Sequence, residues 1–270
     1  MQFATVNDVI LHHQLIGGPA GRPVLVFVNA LGTDFRIWRD VIVRLAGDFP
    51  ILTYDKRGHG LSDLGQVPYS MDDHVLDLAA LLDRLNVREA VICGVSVGGM
   101  IAQGLEAKRP DLVKALVLCD TAPKIGTTEL WNARIESVET KGIESLADGV
   151  MQRWFTPAFR RPENAAYHGY RNMLTRQSAV GYAATCAALR DADLTESTKR
   201  IAVPTLCVVG DQDGSTPPDL VLSMAKLIHG ARYEVIKDAG HIPSIEQPEM
   251  LTAMIRAFIE TLPIGGKLHA

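Results

Sequence analysis

The run Gly94-Val95-Ser96-Val97-Gly98, followed at once by Gly99, constrains this chain more than any other segment. Glycine costs order wherever the backbone does not need it, so glycines placed two residues either side of one serine imply an unusual backbone geometry. Residues 89 to 93 read as a strand and 97 to 107 as a helix, which makes Ser96 the pivot of a sharp strand-to-helix turn, the setting of a nucleophile elbow. Gly94 and Gly98 leave room for backbone to pass the strained serine, and Gly99 lets the helix lie close to a sheet. The pattern also arises by chance, and a glycine-rich strand-to-helix turn can cradle phosphate. Here no Lys-Ser or Lys-Thr follows the glycines and no Gly-x-Gly-x-x-Gly spacing occurs.

The rest of the chain alternates in the same sense. Strands are expected over 9–16, 24–28, 49–55, 89–93, 115–119, 203–209 and 232–236, and helices over "FRIWRDVIVRLA", "SMDDHVLDLAALLDRLNV", 97–107, 218–229 and 248–261. In the second of these helices Met71, Val75, Leu78, Leu82 and Leu85 form one stripe, and Ser70 with Asp73 gives a capping-box signal. Strand-then-helix alternation with nearly continuous apolar strands predicts an α/β fold: a mostly parallel eight-stranded sheet flanked by helices on both faces. Residues 122–195 contain no good strand but several helical patterns. They are expected to form a helical cap on a core built from 1–121 and 196–262, with 263–270 as a loose tail.

Composition narrows the partner. The 270 residues carry a formal net charge of −4 and no long Lys or Arg run, so the dense positive field of a nucleic-acid binder is lacking. No stretch approaches a membrane span, and the start has no basic segment followed by an apolar one. A cytoplasmic protein acting on a small molecule is expected. Cys93, Cys119 and Cys207 fall in apolar strands and Cys186 in an Ala-rich helix, without metal-ligand spacing, so all four read as buried thiols.

A serine hydroxyl needs a base, so a nucleophile at Ser96 requires an acid and then a histidine downstream. "TLCVVG" runs into Asp211-Gln212-Asp213, and "YEVIK" into Asp238-Ala239-Gly240-His241. Both loops follow strands, on the sheet edge that also carries Ser96. Spacing leaves Asp211 and Asp213 open as the acid, and Asp238 reads as a turn residue. His59, in "DKRGHGLSD", precedes Ser96 and is assigned to a structured turn; His12, His13, His74, His168, His229 and His269 occupy ordinary positions. Two backbone N–H groups should receive an oxyanion. They are expected at Val97, directly after the serine, and at Leu31, in the loop after "VLVFV".

Taken together, "FVNALG", "DKRGHGLSD", "GVSVGG", "VVGDQDGSTPP" and "AGHIPSIEQPE" resemble the α/β-hydrolase fold over about residues 20 to 262. The resemblance selects Asp213, because Gly210 to Pro217 matches the family's Gly-x-x-Asp-x-x-x-Pro pattern. One departure stands out: many relatives carry His-Gly where this chain has Asn29-Ala30. Within 122–195, "DTAPKIGTTELWNARIESVETKGIESL", "RWFTPAF" and "GYAATCAALRDADL" resemble the cap of 3-oxoadipate enol-lactonases. That resemblance implies hydrolysis of a small carboxylated lactone by Ser96, His241 and Asp213, with no metal and no organic cofactor.

Trp131, Arg134, Ile135 and Val138 fall at spacings of three, four and seven, which puts them on one face of a helix. An arginine turned inward needs a partner, either an internal carboxylate or one brought by the substrate. The resemblance favours the substrate, with Trp131 and Trp154 as pocket walls. A general carboxylesterase, a haloperoxidase-like perhydrolase and a carbon–carbon bond hydrolase would share the same three residues, and a ligand receptor could retain them. A dehalogenase would carry Asp in place of Ser96.

Overall fold

The computed structural model describes residues 2–262; the expected tail over 263–270, and His269 with it, lies outside the described residues. Eight strands form one sheet: β1 (Gln2–Val6), β2 (Val9–Ile16), β3 (Leu25–Val28), β4 (Ile51–Tyr54), β5 (Ala90–Val95), β6 (Val113–Cys119), β7 (Thr205–Gly210) and β8 (Arg232–Ile236). Their order across the sheet is β1-β2-β4-β3-β5-β6-β7-β8. β3 to β8 run parallel, and β2 pairs antiparallel with both β1 and β4. β1 was absent from the sequence expectation. It forms because Asn7 and Asp8 both adopt positive φ, 44° and 63°, which folds Gln2–Val6 back onto β2 as a tight hairpin.

The helices are α1 (Arg39–Leu45), α2 (Met71–Arg84), α3 (Val97–Lys108), α4 (Thr128–Lys141), α5 (Ala147–Trp154), α6 (Ala165–Thr175), α7 (Ala179–Asp191), α8 (Thr195–Thr198), α9 (Pro218–Leu227), α10 (Pro243–Glu246) and α11 (Pro248–Glu260). α2 begins as its sequence predicts: the Ser70 side chain accepts from the Asp73 N–H, and the Asp73 carboxylate accepts from the Ser70 N–H. The single helix expected over "FRIWRDVIVRLA" is instead a 3-10 turn, Phe35–Trp38, leading into α1. The Asp34 carboxylate accepts from the Arg36 N–H and starts that tighter turn, which buries Ile37 and Trp38.

The central strands β3, β4, β5 and β7 are buried along their whole length and β6 at every residue but Lys114, so the core lies between the sheet and its covering helices. All four cysteines are free and buried, as expected. Between β6 and β7 the described chain forms helices only, α4 to α8. α7 descends onto the loop after β4, where a Cβ on Gly181 would stand 2.2 Å from the Gly58 carbonyl oxygen. Glycine at both places lets two backbones touch, which brings α7 against the loop at the C-terminal end of β4. No helix among the described residues is long and apolar enough to cross a membrane.

Candidate active site

Ser96 sits between β5 and α3 with φ 59° and ψ −123°, a strained backbone for a residue with a side chain. Its surroundings over-determine it. The Ser96 N–H donates to Cys119 O at 3.0 Å, and its carbonyl accepts from Gly99 N–H and from Thr121 Oγ1 at 2.6 Å. The three expected glycines are each required: a Cβ on Gly94 would meet Gly98 O at 2.3 Å, one on Gly98 would meet Val28 O at 2.2 Å, and one on Gly99 would meet the Thr121 side chain at 2.4 Å. The turn therefore aims the Ser96 hydroxyl outward over the sheet edge.

His241 Nδ1 lies 2.9 Å from Asp213 Oδ2, with both side chains buried. The Asp213 carboxylate also accepts from Ser215 N–H, Thr216 N–H and Thr216 Oγ1. Burial by itself would raise this carboxyl; the facing imidazole and these hydrogen bonds outweigh it and hold Asp213 below the usual carboxylate range. Asp211 is exposed, and its carboxylate accepts from Ala239 N–H, on the other side of the loop. Asp238 is an exposed turn residue at φ 55°. The backbone N–H of His241 donates to Trp154 O at 2.8 Å, which ties the histidine loop to α5.

Asp120, at the end of β6, was not singled out from the sequence. It is fully buried, accepts from Gly210 N–H at 2.9 Å, and has a second oxygen without a partner. Burial first, and then the neighbouring Asp213, push its carboxyl well above the ordinary range, which favours the protonated form of Asp120 beside Asp213. Asp120, Asp213 and His241 place one potential ligand atom each within 4.8 Å of one another. The His241–Asp213 bond and the upward shift of the Asp120 carboxyl make that cluster a buried acid–base group.

Ser96 and His241 open onto one cavity of about 150 Å³, lined also by Leu31, Trp131, Arg134, Arg153, Trp154 and Tyr182. Among the described residues Ser96 Oγ and His241 Nε2 make no hydrogen bond; in free enzymes such bonds tighten when substrate binds. The N–H groups of Leu31 and Val97 likewise donate to no protein acceptor, although both residues are buried. Two orphan donors beside a serine hydroxyl are what an oxyanion requires. His59 does more than occupy a turn: its Nε2 accepts from Gly32 N–H at 3.0 Å, which anchors the loop that carries Leu31.

The helix face read from Trp131 to Val138 divides in space. Trp131 and Arg134 reach the cavity that Ser96 and His241 line, whereas Ile135 and Val138 turn to a separate apolar cavity against α7, with Ala179, Ala183 and Ala187. No internal ion pair forms at Arg134 among the described residues; its guanidinium lies 4.9 Å from the Trp131 ring centroid. Arg153, from α5, joins it in the same cavity, also without a carboxylate. Burial and then the nearby Arg134 charge lower the Arg153 guanidinium below its usual value. Arg153 was missed because its position next to Trp154 in "RWFT" says nothing of where α5 lands.

A family model described as the alpha/beta hydrolase family matches residues 25–253. The chain is 34% identical over 257 residues to 3-oxoadipate enol-lactonase 2 of Acinetobacter baylyi, covering 95% of each chain. A crystal structure of the enol-lactonase from Burkholderia xenovorans superposes with a TM-score of 0.92 at 34% identity, covering 96% of this chain and 100% of that one. A thermophilic esterase from Thermogutta terrifontis, solved with malate bound, gives a TM-score of 0.90 at 26% identity, with 97% and 99% covered.

Proposed function

The chain belongs to the alpha/beta hydrolase family, and from that premise we propose that it hydrolyses 3-oxoadipate enol-lactone to 3-oxoadipate through an acyl-enzyme on Ser96. The observation that carries this reading is the pair of arginines, Arg134 and Arg153, facing the same small cavity as Ser96 and His241 with no carboxylate of their own. Binding pockets for drug-sized ligands run to about 300 to 1,000 Å³; a site of about 150 Å³ suits a molecule of few atoms. An unpaired guanidinium in such a cleft calls for a carboxylate, which it meets in a planar two-bonded geometry. The enol-lactone brings one.

In this mechanism Ser96 Oγ attacks the lactone carbonyl while His241 Nε2 takes its proton and Asp213 holds the imidazole in the required tautomer. The carbonyl oxygen becomes an oxyanion facing the N–H groups of Leu31 and Val97. Collapse breaks the ring C–O bond and expels an enolate, which is a better leaving group than an alkoxide and needs little acid assistance. The proton on His241 returns to the released enolate, giving the ketone on the acyl chain. His241 then removes a proton from water as its oxygen attacks the acyl carbonyl; the acyl–Oγ bond breaks, His241 returns the proton to Ser96 Oγ, and the second carboxylate is released. Residues 122–195 serve in this reading as a cap over a core of 1–121 and 196–262, with Trp131 and Trp154 excluding water from the arginines. A cytoplasmic setting accords with four free thiols.

The test is direct hydrolysis of the enol-lactone compared with a neutral ester of similar size. The enol-lactone should be the better substrate by kcat/KM, and Ser96→Ala should lower kcat for both by several powers of ten without unfolding the protein. Equal turnover of the two substrates would sink the lactone assignment, and an active Ser96→Ala variant would sink the nucleophile.

A further inference from the structure

Lys56 is 1% exposed, yet no carboxylate forms an ion pair with it among the described residues. Its ammonium instead donates to Ala30 O at 2.6 Å, with a longer contact of 3.5 Å to Asn29 O. The same Ala30 oxygen accepts from Thr33 Oγ1 at 2.9 Å and from Thr33 N–H at 3.4 Å. This carbonyl belongs to the peptide unit whose other end is the Leu31 N–H, the orphan donor at the catalytic cavity. Three donors on one carbonyl, one of them charged, draw electron density toward oxygen through the amide resonance and leave the N–H more positive. They also fix the plane of the peptide, and so the direction in which the N–H points.

We propose that Lys56 is a positioning residue for the oxyanion site, polarising and orienting the Ala30–Leu31 peptide so that the Leu31 N–H is a stronger and better aimed donor to the developing negative charge. The inference rests on the reading of Ser96 as nucleophile and Leu31 as oxyanion donor. It also accounts for a buried lysine whose charge is costly to desolvate. The nearby titratable and charged groups are Asp34 before α1, Asp55 and His59 in the same segment, and His74 from α2. Burial lowers the Lys56 ammonium to about 7, against the opposing pull of Asp55 and Asp34, while His59 and His74 are themselves held neutral by burial. Lys56 thus loses its proton as pH rises above neutrality, and the peptide loses its charged donor with it.

The test uses 4-nitrophenyl acetate as a substrate that does not depend on the lactone assignment, and a small alkylboronic acid whose tetrahedral anionic adduct on Ser96 mimics the intermediate. Losing an oxyanion donor outright costs about 10² to 10³ in kcat; Lys56→Met weakens one donor and should cost about tenfold or more in kcat, with KM within about twofold. Boronate affinity should fall by a similar factor, Lys56→Gln should lie between, and thermal melting should report intact folding in both. In the unaltered protein kcat should decline with rising pH above neutrality, and that decline should vanish in Lys56→Met. A folded Lys56→Met variant with unchanged kcat and boronate affinity overturns the inference, as does a loss confined to KM. Should neither variant fold, Thr33→Val, which removes the Thr33 Oγ1 donor from the same Ala30 carbonyl, should lower kcat and boronate affinity by a smaller factor, and a folded Thr33→Val with both unchanged overturns the inference. Ester turnover persisting in Ser96→Ala would instead overturn the nucleophile assignment beneath it.

Discussion

Arg134 of α4 and Arg153 of α5 enter the Ser96 cavity from two different helices, and the Arg134 charge raises the cost of the charge on Arg153. Two cations facing one cleft favour an anion between them. Replacing Arg134 by Ala should therefore cost about 2 to 4 kcal/mol in kcat/KM for the carboxylated lactone, in the range seen when one member of a buried charge pair is removed. Arg153→Ala should act in the same direction, and a neutral ester should lose much less in both. Equal losses on the two substrates, in folded variants, would make the arginines structural.

Asp213 faces His241 at 2.9 Å while Asp211 bonds to the Ala239 N–H. Asp213→Asn should lower kcat by about 10⁴, because the amide favours the wrong imidazole tautomer. Asp211→Asn, at an exposed site, should leave kcat within about twofold and affect stability by less than about 0.5 kcal/mol. Comparable losses in steady-state assays of the two variants would mean that the geometry at His241 is not the one used in catalysis.

Acid should unfold this protein from the histidines inward. Burial is the main cause that holds His59 well below its ordinary value and His74 at about 3. Both are neutral in the native state, whereas the unfolded chain takes up a proton at each below about 6.5. Their contribution is thus fully present above that value and is lost as pH falls toward the folded one, at up to about 1.4 kcal/mol per pH unit for each histidine. Urea titrations at several pH values should show this slope, and His74→Gln should remove about one proton's share of it; an unchanged slope would show that His74 is not the group responsible.

Gly98 and Gly169 make a matched pair. A Cβ on Gly98 would stand 2.2 Å from Val28 O, backbone that cannot move without displacing the start of the loop that carries Leu31, whereas Gly169 in α6 has nothing within 4 Å. Gly98→Ala should destabilise by about 1 to 3 kcal/mol and lower activity. Gly169→Ala should be neutral or stabilise α6 by up to about 1 kcal/mol. Denaturant midpoints decide, and a neutral Gly98→Ala would show that the elbow is less tightly packed than its geometry implies.

Local interactions determined what could be read in advance. The period of α2 and its Ser70–Asp73 cap, the apolar strands and the three glycines around Ser96 depend on neighbours a few residues away, so the order of elements and the elbow are written in short stretches of chain. The hairpin strand β1 escaped because its signal is one turn, Asn7-Asp8, rather than an apolar run. Everything that depends on convergence was left to the tertiary structure. Spacing could not separate Asp211 from Asp213, since only the folded loop shows which carboxylate meets a histidine 28 residues away. The helix spacing that grouped Arg134 with Ile135 and Val138 could not tell that one face serves two cavities. Asp120, Arg153 and Lys56 come from three separate elements and look ordinary in sequence. Their roles arise because burial and the approach of charges distant in the chain set protonation and hydrogen bonding, and both are properties of packed space.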